Sequence, residues 1–404
     1  MKNEVTAPVP GAIGNHRVLV VHNAYQQRGG EDSVVEAEVA LLRQHGHHVH
    51  LYQRHNDEVS GTSRADLAVQ SFWSTQTLRD VTALIAEHHP TVVHVHNTLP
   101  LVSPSVYWAA HRARVPVVQT LHNFRLLCPQ ALMLRDGRVC EDCVGKVPWR
   151  AVQHRCYRES TVQSAVVAGV LQGHRWLGTW QHKISRYIAL NSFCRDKFIA
   201  GGLPAERISI KPNFVDLPMH DQAPARDGFL FVGRLSEEKG LATLASAARL
   251  LPADLRFRIV GTGSEERHFH QGSGAVLLGL KSRDEIFAEM RKAKALIVPS
   301  IWFETFGLVV AEAFACGTPV IASRIGALAA LIEDGVTGLH FNPGNSDDLA
   351  EKLAWAQQNT EAMAQMGRNA RLYYEQKLTG DVNYRQLIDI YDMAGDGARY
   401  KADA

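Results

Sequence analysis

Two successive runs of short apolar segments, each alternating with amphipathic stretches, constrain this chain more than any other feature. In the first run, strands are expected at His16–Asn23, His48–Tyr52, Thr91–Asn97, Pro116–Asn123, Arg186–Asn191 and Arg207–Asn213. A polar, proline-containing stretch, Asp216–Gly228, reads as a linker. A second run follows at Gly228–Leu235, Arg256–Gly263, Ala275–Leu280, Lys294–Ser300 and Thr318–Arg324. Strands separated by helices specify mostly parallel sheets covered on both faces. A chain of 404 residues exceeds what one hydrophobic core usually serves. The expected architecture is therefore α/β, with two Rossmann-like domains facing across a cleft. They are residues 1–213, with an irregular cysteine-rich insertion at 124–159, and residues 214–380. A helical segment, 381–404, can return to the first domain.

Composition excludes several classes. With 46% hydrophobic and 21% charged residues the chain reads as a soluble globular protein. Apolar stretches such as Ser164–Leu171 fall far short of the roughly 18 residues a membrane span needs. Val18–Val21 is too short to be the core of a signal peptide, so a cytoplasmic location is expected. Net charge is only +2, and no nucleic-acid partner is expected. Residues 100–199 nevertheless hold 14 basic against 5 acidic side chains, a surplus of +9. Together with Trp149, Trp176 and Trp180, this suggests peripheral docking on an anionic membrane surface, the alternative being a merely solvated face. Much of that charge would share one helix, Ser160–Tyr187, through His174, Arg175, His182, Lys183 and Arg186.

In open α/β sheets ligands bind beyond the carboxyl ends of the strands, so the loops there are where chemistry is expected. After the first strand, QQRGGEDS (Gln26–Ser33) places Gly29 and Gly30 where backbone can approach a ligand ahead of a helix start. It is not G-x-G-x-x-G, so dinucleotide binding is not supported. The second run opens with GRLSEEKG, Gly233–Gly240, which sets Arg234 and Lys239 where a diphosphate would lie. The most informative stretch is PSIWFETFGLVVAEAFACGTPVIAS, with Glu304 and Glu312 spaced E-x7-E. Glu304 precedes a buried helix and Glu312 lies inside it. The amides of Phe306, Gly307 and Leu308 would stay free for an anion or a hydroxyl, with carboxylates on either side to accept hydrogen bonds from sugar hydroxyls. The structural alternative makes Glu304 a helix cap and Glu312 an ion-pair partner.

Gly233–Gly240, Glu304–Glu312 and CGTPVIAS (Cys316–Ser323) resemble the family-4 retaining glycosyltransferases, which have the two-Rossmann GT-B fold. Gly29–Val49, TLHN (Thr120–Asn123), KPNFVD (Lys211–Asp216), VGTGSE (Val260–Glu265) and Glu333–Asn345 match in the same order. The resemblance implies a nucleotide-diphosphate sugar donor and a saccharide or lipid-linked acceptor, as in cell-surface polysaccharide assembly. It implies that Arg234 and Lys239 neutralise the donor diphosphate, beside Gly233, and that Glu312 holds the ribose hydroxyls. Glu304 and the backbone at Phe306–Leu308 would hold the sugar, His122 would face it from the first domain, and Gly29 with Gly30 would close over the diphosphate. Phe214 departs from the pattern, since many relatives have glycine there. No D-x-D occurs, so fixed cations are expected to do a metal's work and no catalytic cofactor is expected. A nucleotide-sugar epimerase on the same fold and a catalytically silent sugar-nucleotide-binding module are the rival readings.

Three further clusters stand out, two of which invite metal readings. HGHHVH spans a helix end, a glycine and a strand, so its rings should diverge. His94 and His96 share one face of a strand, with His96 nearer the functional end. Cys128, Cys140, Cys143 and Cys156 are spaced C-x11-C-x2-C-x12-C in the loop-like insertion, where four thiolates could hold a structural zinc. Free thiols or a disulfide are the alternatives.

Overall fold

The computed structural model describes residues 16–217, 225–252, 255–269 and 274–399. The chain's first 15 residues, the middle of the expected linker at 218–224 and the last residues, 400–404, lie outside these.

The first sheet contains β1 (Arg17–Ala24), β2 (His48–His55), β3 (Val92–Val95) and β4 (Val117–Thr120). A small hairpin of β5 (Leu134–Arg135) and β6 (Arg138–Val139) interrupts before β7 (Arg186–Ala189) and β8 (Ile208–Ile210) rejoin the sheet. The order is β2-β1-β3-β4-β7-β8, parallel throughout. The second sheet contains β9 (Phe229–Val232), β10 (Phe257–Val260), β11 (Ala275–Gly279), β12 (Ala295–Val298), β13 (Val320–Ser323) and β14 (Gly338–Phe341). Its order is β11-β10-β9-β12-β13-β14, again parallel. The central strands are buried along their whole length, as sheets covered on both faces require.

The two orders differ in a way that places the chemistry. Strand order reverses between β1 and β3 in the first sheet and between β9 and β12 in the second. A crevice opens at such a point beyond the strand ends. The loops after β1, β3, β9 and β12 carry Gly29, His96, Arg234 and Glu304 respectively.

Helix Gly380–Arg399 lies on the first domain. Its Tyr384, Leu387, Ile388 and Tyr391 pack with Val18, Val20, Val92 and Val118, completing one face of the first sheet. Phe214 belongs to the same cluster, while the next residue, Val215, is part of the second domain's core.

Three expectations need correction. Ser160–Tyr187 is not one helix: it consists of helix Thr161–Trp176, a turn at Gly178 with φ of 66°, the short helix Thr179–His182 and the start of β7. Glycine occupies this left-handed conformation without the Cβ clash that disfavours other residues, and the helix stops there. The last strand of the first sheet is only Ile208–Ile210, because Pro212 has no amide to extend the ladder. The second sheet also has a sixth strand, β14, that the apolar pattern did not single out. Among the described residues no helix is long and apolar enough to cross a membrane.

Candidate functional site

The second domain supplies one wall of the cleft. Beyond β9 the chain turns at Gly233 and runs through the short turn Glu237–Lys239 to Gly240, where φ is 72°. A methyl group on Gly240 would lie 1.8 Å from the Pro299 carbonyl oxygen, so the loops after β9 and β12 can lie this close only with glycine there. Their contact brings Lys239 Nζ within 2.6 Å of Glu304 Oε1. Ser300 Oγ and Trp302 Nε1 donate to the same oxygen at 2.9 and 3.1 Å. Burial alone would raise the Glu304 carboxyl, but the Lys239 charge and these hydrogen bonds hold it below its usual range. Arg234 is mostly exposed and pairs loosely with Glu238 at 3.3 Å, leaving its guanidinium free to turn toward an anion.

Helix Leu308–Ala315 begins directly after this loop, with Gly307 at φ 84° as its cap. A helix start leaves its first amides without intrahelical acceptors and carries the positive end of the helix dipole. Phe306, Gly307 and Leu308 occupy that position, with the Glu304–Lys239 pair on one side. Glu312, one turn into the helix, is pushed up to about 7 by burial, with Arg283 opposing the shift.

The first domain supplies the other wall. Thr305 Oγ1 donates to the His122 carbonyl at 2.7 Å, and Asn191 Nδ2 donates to the Thr305 carbonyl at 2.7 Å. Phe303 packs against Phe193 and Phe124. These contacts fix the Glu304 loop against the strand end that carries His122. Across the gap, a methyl on Gly30 would sit 3.9 Å from Leu308 Cδ2, so the glycine turn faces the helix start. Asp32 holds that turn, accepting from the Gly29 amide at 2.8 Å while bonded to buried His22 at 2.8 Å.

His122 stands at the head of a buried polar chain. Its Nε2 lies 2.8 Å from His96 Nδ1. Behind His96, Glu38 Oε1 lies 3.4 Å from His96 Nε2 and 3.0 Å from His94 Nδ1. Glu38 Oε2 pairs with Lys211 Nζ at 2.9 Å, and Asn383 Oδ1 accepts from the same ammonium at 3.0 Å. Burial and neighbouring rings push His96 down to about 3 and His122 well below the usual imidazole range. Both rings are therefore neutral near pH 7. The Glu38 carboxyl goes the other way: burial would raise it, yet Lys211, His94 and His96 together hold it well below its ordinary value.

Some of these partners escaped the sequence reading. Glu38 and Lys211 lie inside the matching stretches Gly29–Val49 and Lys211–Asp216 but were given no role there, although Glu38 falls among Val34, Val35, Val39, Leu41 and Leu42 on the buried face of helix Gly30–Gln44. A carboxylate on an apolar stripe was the available signal. Glu31 was also missed: it accepts from Tyr25 Oη at 2.9 Å and from Asn123 Nδ2 at 3.4 Å, and burial raises it to about 7. Beside these residues a cavity of about 40 Å³ opens in the first domain, lined by Asn97, Tyr107, Gln119, His122, Asn123 and Arg125 among others.

The remaining clusters separate clearly. His94 is fully satisfied by Tyr391, Thr120 and Glu38. In HGHHVH the rings diverge only in part: His45 stacks on Tyr384 and His47 bonds the hydroxyl of the same ring, while His50 stacks on His88, and among the described residues these histidines form no metal-ligand cluster. Cys128, Cys140, Cys143 and Cys156 all line one small cavity in the insertion, far from the Glu304 carboxylate in sequence but not paired as disulfides. Of the tryptophans, Trp180 is core, whereas Trp149 and Trp176 are 58% and 78% exposed. His174 is fully buried, bonded to Thr179 and the Phe72 carbonyl, so it adds no surface charge.

Two Rossmann-like domains whose loops converge on a helix start, paired cations and a histidine define the GT-B class. The description Glycosyltransferase Family 4 matches residues 28–218, and Glycosyl transferases group 1 matches residues 222–373. The chain belongs to the family-4 GT-B glycosyltransferases. An uncharacterised glycosyltransferase of Methanocaldococcus jannaschii is 36% identical over 173 residues, covering 41% of this chain and 48% of that protein. The phosphatidyl-myo-inositol mannosyltransferase of Mycobacterium leprae is 34% identical over 215 residues, covering 49% and 55%. The chain thus spans about half the length of the curated relatives it matches. Among solved structures, Anabaena HepE in complex with UDP and glucose aligns with a TM-score of 0.65 at 19% identity, over 93% of this chain and 98% of that one. At that identity the likeness is one of fold.

Proposed function

We propose that this protein is a retaining glycosyltransferase that moves a hexose from a nucleotide-diphosphate sugar to a hydroxyl acceptor. The observation that carries the reading is the meeting, across one cleft, of Lys239, Glu304 and the start of helix Leu308–Ala315 with the His122 strand end. Cleaving the sugar–phosphate bond places negative charge on the departing nucleoside diphosphate. Arg234, Lys239 and the amides at Phe306–Leu308 are preorganised donors for that charge, which is how such sites lower a barrier. They require no divalent ion for this role. Glu312 would accept from the ribose hydroxyls, and Gly29 with Gly30 would allow the first domain's backbone to approach the diphosphate.

His122 acts in this reading as an acceptor. Two neutral imidazoles 2.8 Å apart need one donor and one acceptor nitrogen. A carboxylate 3.4 Å from His96 Nε2 favours a proton on that nitrogen, even without full hydrogen-bond geometry. His96 Nδ1 then accepts from His122 Nε2–H, and His122 Nδ1 keeps its lone pair for a sugar hydroxyl. The acceptor would approach from the first domain, where the cavity beside Asn123 and Arg125 offers both apolar walls and hydrogen-bonding groups. A lipid-linked saccharide, in cell-surface polysaccharide assembly at the cytoplasmic face of a membrane, suits a protein that exposes Trp149 and Trp176 on its basic first domain.

The test is a panel of UDP-, GDP- and ADP-sugars screened by thermal stabilisation. Transfer is then followed in excess EDTA by anomer-resolved NMR of the product. Retention of the donor's anomeric configuration and undiminished transfer in EDTA are expected. An inverted product, or turnover that needs an added divalent ion such as magnesium or manganese, would overturn the mechanism. Conversion of the donor without an acceptor would make the protein an epimerase, and binding without turnover would make it a silent module.

A further inference from the structure

We infer that the insertion holds a structural zinc ion bound by the thiolates of Cys128, Cys140, Cys143 and Cys156. The four residues come from separate turns of an irregular segment. Cys128 follows the turn Phe124–Leu126, Cys140 follows β6, Cys143 sits in the next turn and Cys156 follows the short helix Trp149–Gln153. All four nevertheless line a single cavity of about 20 Å³. A zinc ion with four sulfur ligands at about 2.3 Å needs the sulfurs about 3.8 Å apart. Among the described residues no three of these sulfurs lie within 4.8 Å of one another, so metal binding draws the side chains inward by rotation about their Cα–Cβ bonds.

Three observations favour this ligand. Beyond Phe124 and Leu127, which belong to the first domain's core, the segment is short of apolar material: from Cys128 to Glu159 its buried hydrophobic side chains are Ala131, Met133, Cys143 and Ala151. It also holds Ala131, Met133, Asp136 and Arg155 at φ of 70°, 50°, 51° and 52°, conformations that cost residues with a Cβ. A segment with that little burial and that much backbone cost needs a cross-link, and no disulfide supplies one. The charge is also complementary. A zinc bound by four thiolates carries a net charge of −2, and Arg135 and Arg150 line the same cavity, with Asp142 bridging them at 2.8 and 3.4 Å. The competing cluster, Glu38 with His94 and His96, is tighter but unsuited to a cation. Lys211 already neutralises Glu38 at 2.9 Å, and Tyr391, Thr120 and His122 occupy imidazole nitrogens there.

The metal would reach the cleft through the hairpin it secures. A methyl on Gly137, at the hairpin turn, would lie 3.7 Å from Glu237 Oε1, in the turn that carries Lys239. Lys197 binds Glu141 at 2.6 Å and joins the insertion to helix Ser192–Ala200. Zinc in the insertion therefore braces the hairpin against the phosphate-facing loop without touching a reacting atom.

The experiment uses the full chain purified without added zinc or chelator. Elemental analysis should find about one zinc per chain, released on titrating the thiols with an organomercurial and detected with a chromogenic chelator. Cys140→Ser with Cys143→Ser should abolish it. Because that variant can fail to fold, the wild-type chain is also produced with cobalt, which should show the visible bands of a tetrahedral thiolate site. Metal-free protein in which all four thiols react under native conditions would overturn the inference. So would a Cys–Cys disulfide, or iron with iron–sulfur absorbance in place of zinc.

Discussion

Replacing Glu38 with Gln tests the polar chain behind His122. The Glu38 and Lys211 side chains are each 2% exposed and meet at 2.9 Å. In the variant, the Lys211 ammonium keeps only neutral partners, the Asn383 carbonyl among them. Removing one member of such a buried pair costs about 3–5 kcal/mol, mostly because the remaining charge stays buried and unpaired. For a domain of this size that corresponds to a fall in unfolding midpoint of about 10 °C. The sign of the pH dependence is also fixed. The folded carboxyl lies well below its unfolded value, so its contribution is complete above about pH 4.3 and is lost as pH falls through the lower folded value. Glu38→Gln should therefore lose stability at pH 7 and show a flatter decline below about pH 4 than the wild type. The double variant Glu38→Leu with Lys211→Met removes both charges and should cost less than Glu38→Gln alone. Thermal unfolding followed by circular dichroism reads each case. A single-variant loss below about 1 kcal/mol, or a double variant that costs the sum of the singles, would refute the argument that the pair is desolvated and coupled.

Changing Arg234 or Lys239 to Ala should each lower turnover by about 10²-fold. Only Lys239→Ala should also lower thermal stability, since it strands the Glu304 carboxylate while Arg234 is 73% exposed; near-normal turnover in both would remove them from the leaving-group site. Donor affinity should weaken as pH falls through about 7 because burial raises Glu312 to that range and its charged form is the better acceptor of ribose hydroxyls. Calorimetric titration between pH 6 and 8 reads this, and a pH-independent affinity that survives Glu312→Gln would exclude the role. Cosedimentation with liposomes should rise with anionic lipid and fall with salt, and Trp149→Ala with Trp176→Ala should reduce it, whereas equal binding to neutral and anionic vesicles would argue against electrostatic docking.

The apolar pattern located the strands because a parallel sheet buries both faces, so central strands such as β9 (FLFV) and β12 (ALIV) appear as uninterrupted hydrophobic runs. It failed where that physics weakens. β14 (GLHF) has only two apolar side chains, Leu339 and Phe341, beside Gly338 and His340, and His340 is buried through bonds to the Ile332 and Ala322 carbonyls, so its burial is partly polar and invisible to hydropathy. Ser160–Tyr187 misled because amphipathic periodicity runs past Gly178, where only the backbone shows the break. Motif spacing brought Arg234, Lys239, Glu304 and Glu312 to attention, but not the contact between Lys239 and Glu304. That pair is 65 residues apart in the chain, and it forms because β9 and β12 are neighbours at the point where strand order reverses. The same reasoning explains why the support of His122 was hidden. Glu38, His96, Lys211 and Asn383 come from a helix, two strand ends and the returning C-terminal helix, so no local spacing joins them. They meet because helix Gly30–Gln44 turns a carboxylate toward the sheet, and a buried carboxylate must find a cation. The returning helix supplies more than apolar cover, since Asn383 accepts from Lys211 at 3.0 Å and donates to the Pro212 carbonyl at 2.6 Å. A segment that would pass for a trailing helix thus helps to fix the Lys211–Glu38 pair that stands behind His96 and His122.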